Sequence, residues 1–215
     1  MELTKEQLQR VEHYLNVKDI TYVDLRMEVF DHIVSDMEAK MESENQDFET
    51  IFYYVTDKWN TQLKDYSSLM FGLYYTAPKI VIQKAKKVYW KYYIFLFAAY
   101  FLPFLVLTHF NFKINTPTEF SFFNPLKGII VLSFVAFIYM LFSRNTKIET
   151  TYGFILKSQS LGIITGLIAV LIFFSSLKEL NGIHIGILCS FIFTTYSYFH
   201  FYKKHKEAIK KYKIS

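Results

Sequence analysis

Residues 92–112 (YYIFLFAAYFLPFLVLTHFNF) are 21 consecutive positions without an acid, a lysine or an arginine. A helix of about 20 apolar residues spans a bilayer's hydrocarbon core, where every backbone N–H and C=O must be satisfied internally. This run divides the chain. A polar, acidic stretch precedes it, and three more apolar runs with short basic connections follow. The expected spans are about 92–110, 126–143, 158–177 and 183–202. The first contains Pro103, and the second has a short uncharged core, 128–143, between Lys127 and Arg144 that snorkelling can extend.

Charge is distributed just as unevenly. Of the 215 residues, 1–66 carry 15 acids against 7 bases, whereas 67–215 carry 17 bases against 4 acids. An acidic soluble part repels phosphate backbones, so nucleic acid is not an expected partner. The basic excess falls at the edges of the apolar runs, where lipid headgroups and topology account for it. Lysine and arginine concentrate in 79–91, in 144–157 and after residue 202. Few lie in the other two connections, so both termini are expected in the cytoplasm. The first ten residues (MELTKEQLQR) lack a basic segment followed by an apolar one, so internal helices are expected to drive insertion. The Lys-, Ile-, Phe-, Tyr- and Asn-rich composition suggests an AT-rich bacterial genome, hence a bacterial inner membrane.

The chain has only 7 Gly and 4 Pro, which argues for an all-α fold. Residues 1–66 read as a cytosolic three-helix module. The first helix starts at Thr4 with Gln7 in a capping box and turns Leu8, Val11 and Leu15 inward. The second starts at Thr21 and runs to about residue 42. The third covers roughly 48–65, with Phe48, Ile51, Phe52, Val55, Trp59 and Leu63 at helical spacing. Residues 67–91 follow as an interfacial segment or linker helix, with aromatics beside lysines. Residues 203–215 form a basic tail.

In the second helix, 100° per residue puts Val23, Phe30, Val34, Met37 and Met41 on one face, with Val29 and Ile33 at its edge. Asp24, Glu28, Asp31, Glu38 and Glu42 line the opposite face. That stripe is either a solvated face or a docking surface for a basic protein partner; a divalent-cation site is the weakest option, because one rigid helix cannot wrap a cation. Arg26 sits within the apolar face and is expected to pair with Glu12, Glu49 or Asp57 as a structural clasp. His32 lies one turn from both Glu28 and Asp36, a second clasp.

The segment Leu25-Arg26-Met27-Glu28-Val29-Phe30-Asp31-His32 resembles the Arg-x-Glu…Asp-His segment of HAAS-type modules. These are small acidic helical signalling modules of bacterial membrane proteins, followed by several membrane helices. The resemblance covers residues 1–66. Members usually end the third helix with a Gly-x-Pro turn, where this chain has Lys58-Trp59-Asn60-Thr61. The resemblance implies signalling or protein interaction without catalysis, often in systems with a PadR-type transcriptional regulator.

The uncharged cores of the four runs, with the second taken as 128–143, contain no Asp, Glu, Lys or Arg, groups that carriers, pumps and intramembrane hydrolases generally need at depth. No Walker, GxSxG, HExxH or GxGxxG pattern occurs, and Cys189 is alone. The chain is therefore expected to be non-enzymatic, without metal or cofactor. Two pairs of small residues, Gly162 with Gly166 and Gly182 with Gly186, are candidates for helix packing or oligomer formation. Lys203, Lys204, Lys206, Lys210, Lys211 and Lys213 are expected to bind anionic lipid, or alternatively to latch onto the acidic stripe. An accessory subunit of a larger membrane complex is the second functional expectation. A small transporter or channel is the third.

Overall fold

The computed structural model describes residues 2–115, 123–175 and 179–212. Among them are seven helices and four short strands: α1 (Lys5–Val17), α2 (Val23–Glu44), α3 (Phe48–Leu63), β1 (Asp65–Ser68), β2 (Gly72–Pro78), α4 (Lys79–His109), β3 (Lys113–Asn115), α5 (Phe123–Ser143), α6 (Thr151–Ser175), β4 (Glu179–Asn181) and α7 (Gly182–Tyr212). The chain divides into two compact units. The first contains Met1–Lys87, Thr146–Ile155 and Lys204–Ser215; the second contains Val88–Asn145 and Leu156–Lys203.

The first unit is built on α1, α2 and α3. Thr4 and Gln7 form the expected capping box on α1, and Asp47 caps α3 by accepting from the Thr50 N–H. The Thr50 hydroxyl and backbone N–H hold the Asp47 carboxyl below its ordinary value. The start of α2 differs from expectation. Its N-cap residue is Tyr22, with no side-chain cap, and the Thr21 hydroxyl instead meets the Glu149 carboxylate.

The core contains Val11 and Leu15 of α1, Val29, Ile33, Met37 and Met41 of α2, and Ile51, Phe52, Val55 and Leu63 of α3. On α2 the buried centre is the i,i+4 ridge Leu25, Val29, Ile33, Met37 and Met41, while Phe30 and Val34 are half-buried. The apolar face is therefore turned by about one residue from the face helical averaging selects, as packing along an i±4 ridge favours. That turn carries Asp24, next to Leu25, inward. Tyr14 of α1 is tied to α3 by hydrogen bonds from its hydroxyl to Thr56 O (3.1 Å) and Asn60 Oδ1 (3.0 Å), and burial, then Asp57, raises its pKa to about 12.

Residues 65–78 are not part of a linker helix, which begins only at Lys79. They form the antiparallel hairpin β1–β2, with a register shift between Ser67 and Ser68 and Gly72 at φ 88° in its turn. Positive φ is a conformation that glycine adopts without the Cβ penalty. Phe71 is buried against the Phe154 ring, 5.3 Å between centroids, and α4 begins directly after the hairpin. The all-α expectation holds, the fold being mostly helical with short strand pairs between helices.

Among the described residues, α4, α6 and α7 are the three helices long and apolar enough to cross a membrane; the described apolar part of α5, Ile130–Ser143, is shorter. Leu102, Leu132 and Leu161 are exposed on these helices, and no more than 33% of the apolar window of α4, α6 or α7 is buried within the protein. An aromatic cluster joins α4 to α7, with Tyr92 and Phe201 centroids 4.8 Å apart, and Phe137 of α5 meets Tyr198 of α7 at 4.8 Å. The short 178–182 connection is not a bare turn: Glu179–Asn181 pairs with Lys113–Asn115 as β4 and β3.

Candidate functional site

In the first unit, α2 meets the first turns of α4 and the start of α6 through polar contacts, and the end of α7 meets Thr150 just ahead of α6. Asp24 is buried at 7 % exposure, and its Oδ1 accepts the Thr151 N–H at 2.8 Å. Thr151 is the first residue of α6, one of the four at a helix start whose N–H has no intrahelical partner. The Thr150 hydroxyl accepts from Gly153 N at 2.9 Å and also meets His205 Nδ1 at 2.7 Å. These two acceptors cap the α6 N-terminus, and a carboxylate there is favoured by the helix dipole. Backbone joins in, since Val23 donates to Glu149 O at 3.0 Å. From α4, Lys84 Nζ donates to Asp24 O at 2.9 Å and to Glu28 Oε2 at 3.0 Å.

This placement corrects the continuous acidic stripe. Asp24 faces inward as a cap, Glu28 pairs with Lys84, and Glu38 accepts the Leu3 N–H at 3.0 Å. Asp31 and Glu42 remain exposed on the outer face, with Met27 and His32 beside them. A five-carboxylate docking row is therefore not presented.

Arg26 is corrected too. It donates to Ile20 O (3.0 Å) and Asn16 Oδ1 (2.6 Å), closing the turn between α1 and α2 rather than pairing with a carboxylate. The carboxylates expected for it are otherwise placed: Glu49 pairs with Arg10, Asp57 accepts from Asn60, and Glu12 is exposed. His32 is exposed and makes no hydrogen bond or ion pair among the described residues. Lysines occupy both flanking acids, Lys84 on Glu28 and Lys58 on Asp36.

The two glycine pairs behave oppositely. A Cβ on Gly182 would lie 2.8 Å from Thr108 Oγ1, and one on Gly186 would lie 2.8 Å from Tyr100 O, so these glycines seat α7 against α4. Among the described residues a Cβ on Gly162 or Gly166 would meet nothing within 4 Å, so neither makes a close helix contact there.

The basic tail is also redrawn. Helix α7 runs without a break to Tyr212, and His205 and Ala208 are buried in the first unit. Lys203, Lys206, Lys210 and Lys211 are exposed on this helix, Lys204 pairs with Glu207, and Lys213 lies outside the described residues.

A polar depression of about 550 Å³ adjoins the α2 start, lined among others by Lys18, Tyr22, Lys64, Asp65 and Glu149. Burial, then Glu149, Asp65 and Asp24, pushes the Tyr22 hydroxyl well above its ordinary pKa. A phenol held protonated in this way is a donor rather than a nucleophile. Among the described residues no group of three or more His, Cys, Asp or Glu is placed to hold a metal ion.

Thr150, Glu149, Tyr22 and His205 are site residues that sequence reasoning passed over. Thr150 carried a signal, an N-cap residue just ahead of an apolar run. The buried His205 carried none, sitting among lysines. Compared with protein-family models, curated proteins and solved structures, the chain matches none.

Proposed function

We propose that the chain is a multi-pass bacterial inner-membrane protein of signalling or regulatory type, without catalysis. In this reading it has four transmembrane helices, both termini in the cytoplasm and a cytosolic unit that binds a protein partner. One observation supports the topology above the rest. The three lysine-bearing stretches that the positive-inside rule places together, 79–91, 144–157 and the end of α7, fall for the most part in one compact unit, as 79–87, 146–155 and 204–212, with Lys91, Arg144, Lys157 and Lys203 just across its boundary in the sequence. The two lysine-poor connections pair with each other as β3 and β4.

The regulatory reading rests on where α2 is anchored. Its inner edge caps α6 through Asp24 and holds α4 through Lys84. Its outer face, with Met27, Asp31 and Glu42, is exposed. A partner that preferred one placement of α2 would act on the ends of helices that continue as apolar spans, which is what coupling between a cytosolic surface and a membrane bundle requires. The resemblance of residues 25–32 to HAAS-type modules points the same way.

A full-length protein carrying Asp31→Lys and Glu42→Lys tests this in a mild-detergent pull-down at low and high salt. Salt-sensitive partners should disappear while thermal stability stays near that of the parent. Partners retained by the double variant would rule the docking face out. The accessory-subunit alternative draws on the open sides of Gly162 and Gly166. It expects co-purification that survives the double variant and is lost on Gly162→Leu or Gly166→Leu.

A further inference from the structure

The hairpin β1–β2 is unusual for a structure in water. From Tyr66 to Pro78, 13 residues carry no charge, and its turn presents Leu69 at 84 % exposure, Leu73 at 65 % and Tyr74 at 90 %. Hairpins and sheet edges facing water are normally protected by charged side chains, lysine above all. Here the inner side is anchored, through Phe71 and Ala77, while Leu69, Leu73 and Tyr74 stand exposed on the outer side.

Two helices fix where this side stands. The base of the hairpin adjoins the α4 start, where Lys79 donates to Lys64 O. Two turns along α4, Lys86 Nζ lies 5.8 Å from the centroid of the Tyr66 ring. The base of the hairpin thus lies beside the first two turns of α4, and exposed Lys87 and Trp90 follow on that helix. At the turn, Phe71 packs on Phe154 of α6, one helical turn before residue 158, where the uncharged run of α6 begins. Lysines followed by tryptophan and tyrosine mark the headgroup level of a membrane helix. The hairpin's contacts on α4 and α6, Lys86 and Phe154, therefore each lie within a few residues along the chain of an uncharged run.

We propose that the β1–β2 turn is a lipid-binding element: Leu69, Leu73 and Tyr74 enter the headgroup–acyl boundary of the bilayer, with Lys79, Lys86 and Lys87 set to meet anionic headgroups. Shallow insertion of an apolar edge flanked by basic residues is how amphipathic elements hold to an anionic surface. The element would make the cytosolic unit responsive to the state of the lipid surface. It rests on the membrane reading above, and the control positions below separate the two.

The test uses the full chain in liposomes containing anionic lipid, in a Cys189→Ser background. An environment-sensitive fluorophore is placed in turn through Leu69→Cys, Leu73→Cys and Tyr74→Cys, with Met27→Cys as a water-facing control and Leu102→Cys as a bilayer control. The turn positions should be quenched by a nitroxide near the lipid headgroup several-fold more than position 27, and be protected from aqueous iodide. Three positions are probed so that one poorly folding variant does not decide the matter. Iodide quenching equal to position 27, with position 102 still lipid-quenched, overturns the proposal and leaves the membrane reading intact. Protection from iodide without nitroxide quenching also overturns it, since protein rather than lipid would then cover the turn. Loss of lipid quenching at position 102 would remove the membrane reading and the proposal together.

Discussion

The first N–H of α6 is bound by the Asp24 carboxylate, itself buried, with its Oδ2 lacking a partner among the described residues. Removing an acceptor from a buried N–H leaves the donor desolvated and unpaired, which is more costly than the net worth of the bond. Asp24→Ala is therefore expected to destabilise the protein by about 1–3 kcal/mol, and Asp24→Asn, which keeps an acceptor in place, by clearly less. Denaturant unfolding of the full chain in mild detergent, followed through Trp59, measures both. Equal losses would mean that charge, and not an acceptor, is what the α6 terminus requires. Arg26 works on the same scale: its guanidinium closes the α1–α2 turn through a carbonyl and an amide, where burial is partial and no carboxylate has to be desolvated.

At the scale of elements, contact between α4 and α7 is set by two glycines. Gly182 and Gly186 let the α7 backbone approach Phe104 O and Tyr100 O closely enough that a methyl group has no room. Gly186→Ala should cost about 1–3 kcal/mol through overpacking, whereas Gly162→Ala and Gly166→Ala, in open surroundings, should be neutral or gain up to about 1 kcal/mol in helix propensity. Heating each variant in detergent and recording loss of the monodisperse species ranks them. A ranking with Gly162 or Gly166 as the sensitive positions would refute this account of the packing. Sequence spacing treats the two pairs alike, because small-xxx-small describes one helix and says nothing about what stands opposite.

For the whole molecule, the important fact is that the first unit is discontinuous. Residues 1–87 supply α1, α2, α3 and the hairpin, but the groups that complete the α2 start, Glu149, Thr150, Thr151 and His205, arrive from 146–155 and from the α7 end. A fragment of residues 1–87 alone exposes Asp24 and Tyr22. It is expected to be cut by trypsin near Arg26 many times faster than the same segment of the full chain. Equal resistance would mean that the distant segments are dispensable to it. A cut after residue 66 is harsher still, because it splits β1 and also removes β2 and Lys84, the partner of Asp24 O and Glu28.

The sequence alone determined the features that depend on local pattern: three short helices with their apolar stripes, the Thr4 capping box, the apolar runs, and the grouping of lysine-rich against lysine-poor connections. These follow from periodicity, side-chain chemistry and the cost of burying charge, none of which needs a partner segment to be known. Tertiary structure decided which groups meet across long separations. It turned α2 by about one residue so that Asp24 left the acidic face, made a hairpin of an uncharged stretch, and buried His205 in an otherwise basic helix end. It also distinguished a packed glycine pair from an open one. The physical reason is common to all four. A side chain's burial and hydrogen bonds are set by whichever surface packs against it, and that surface comes from residues far away in the chain.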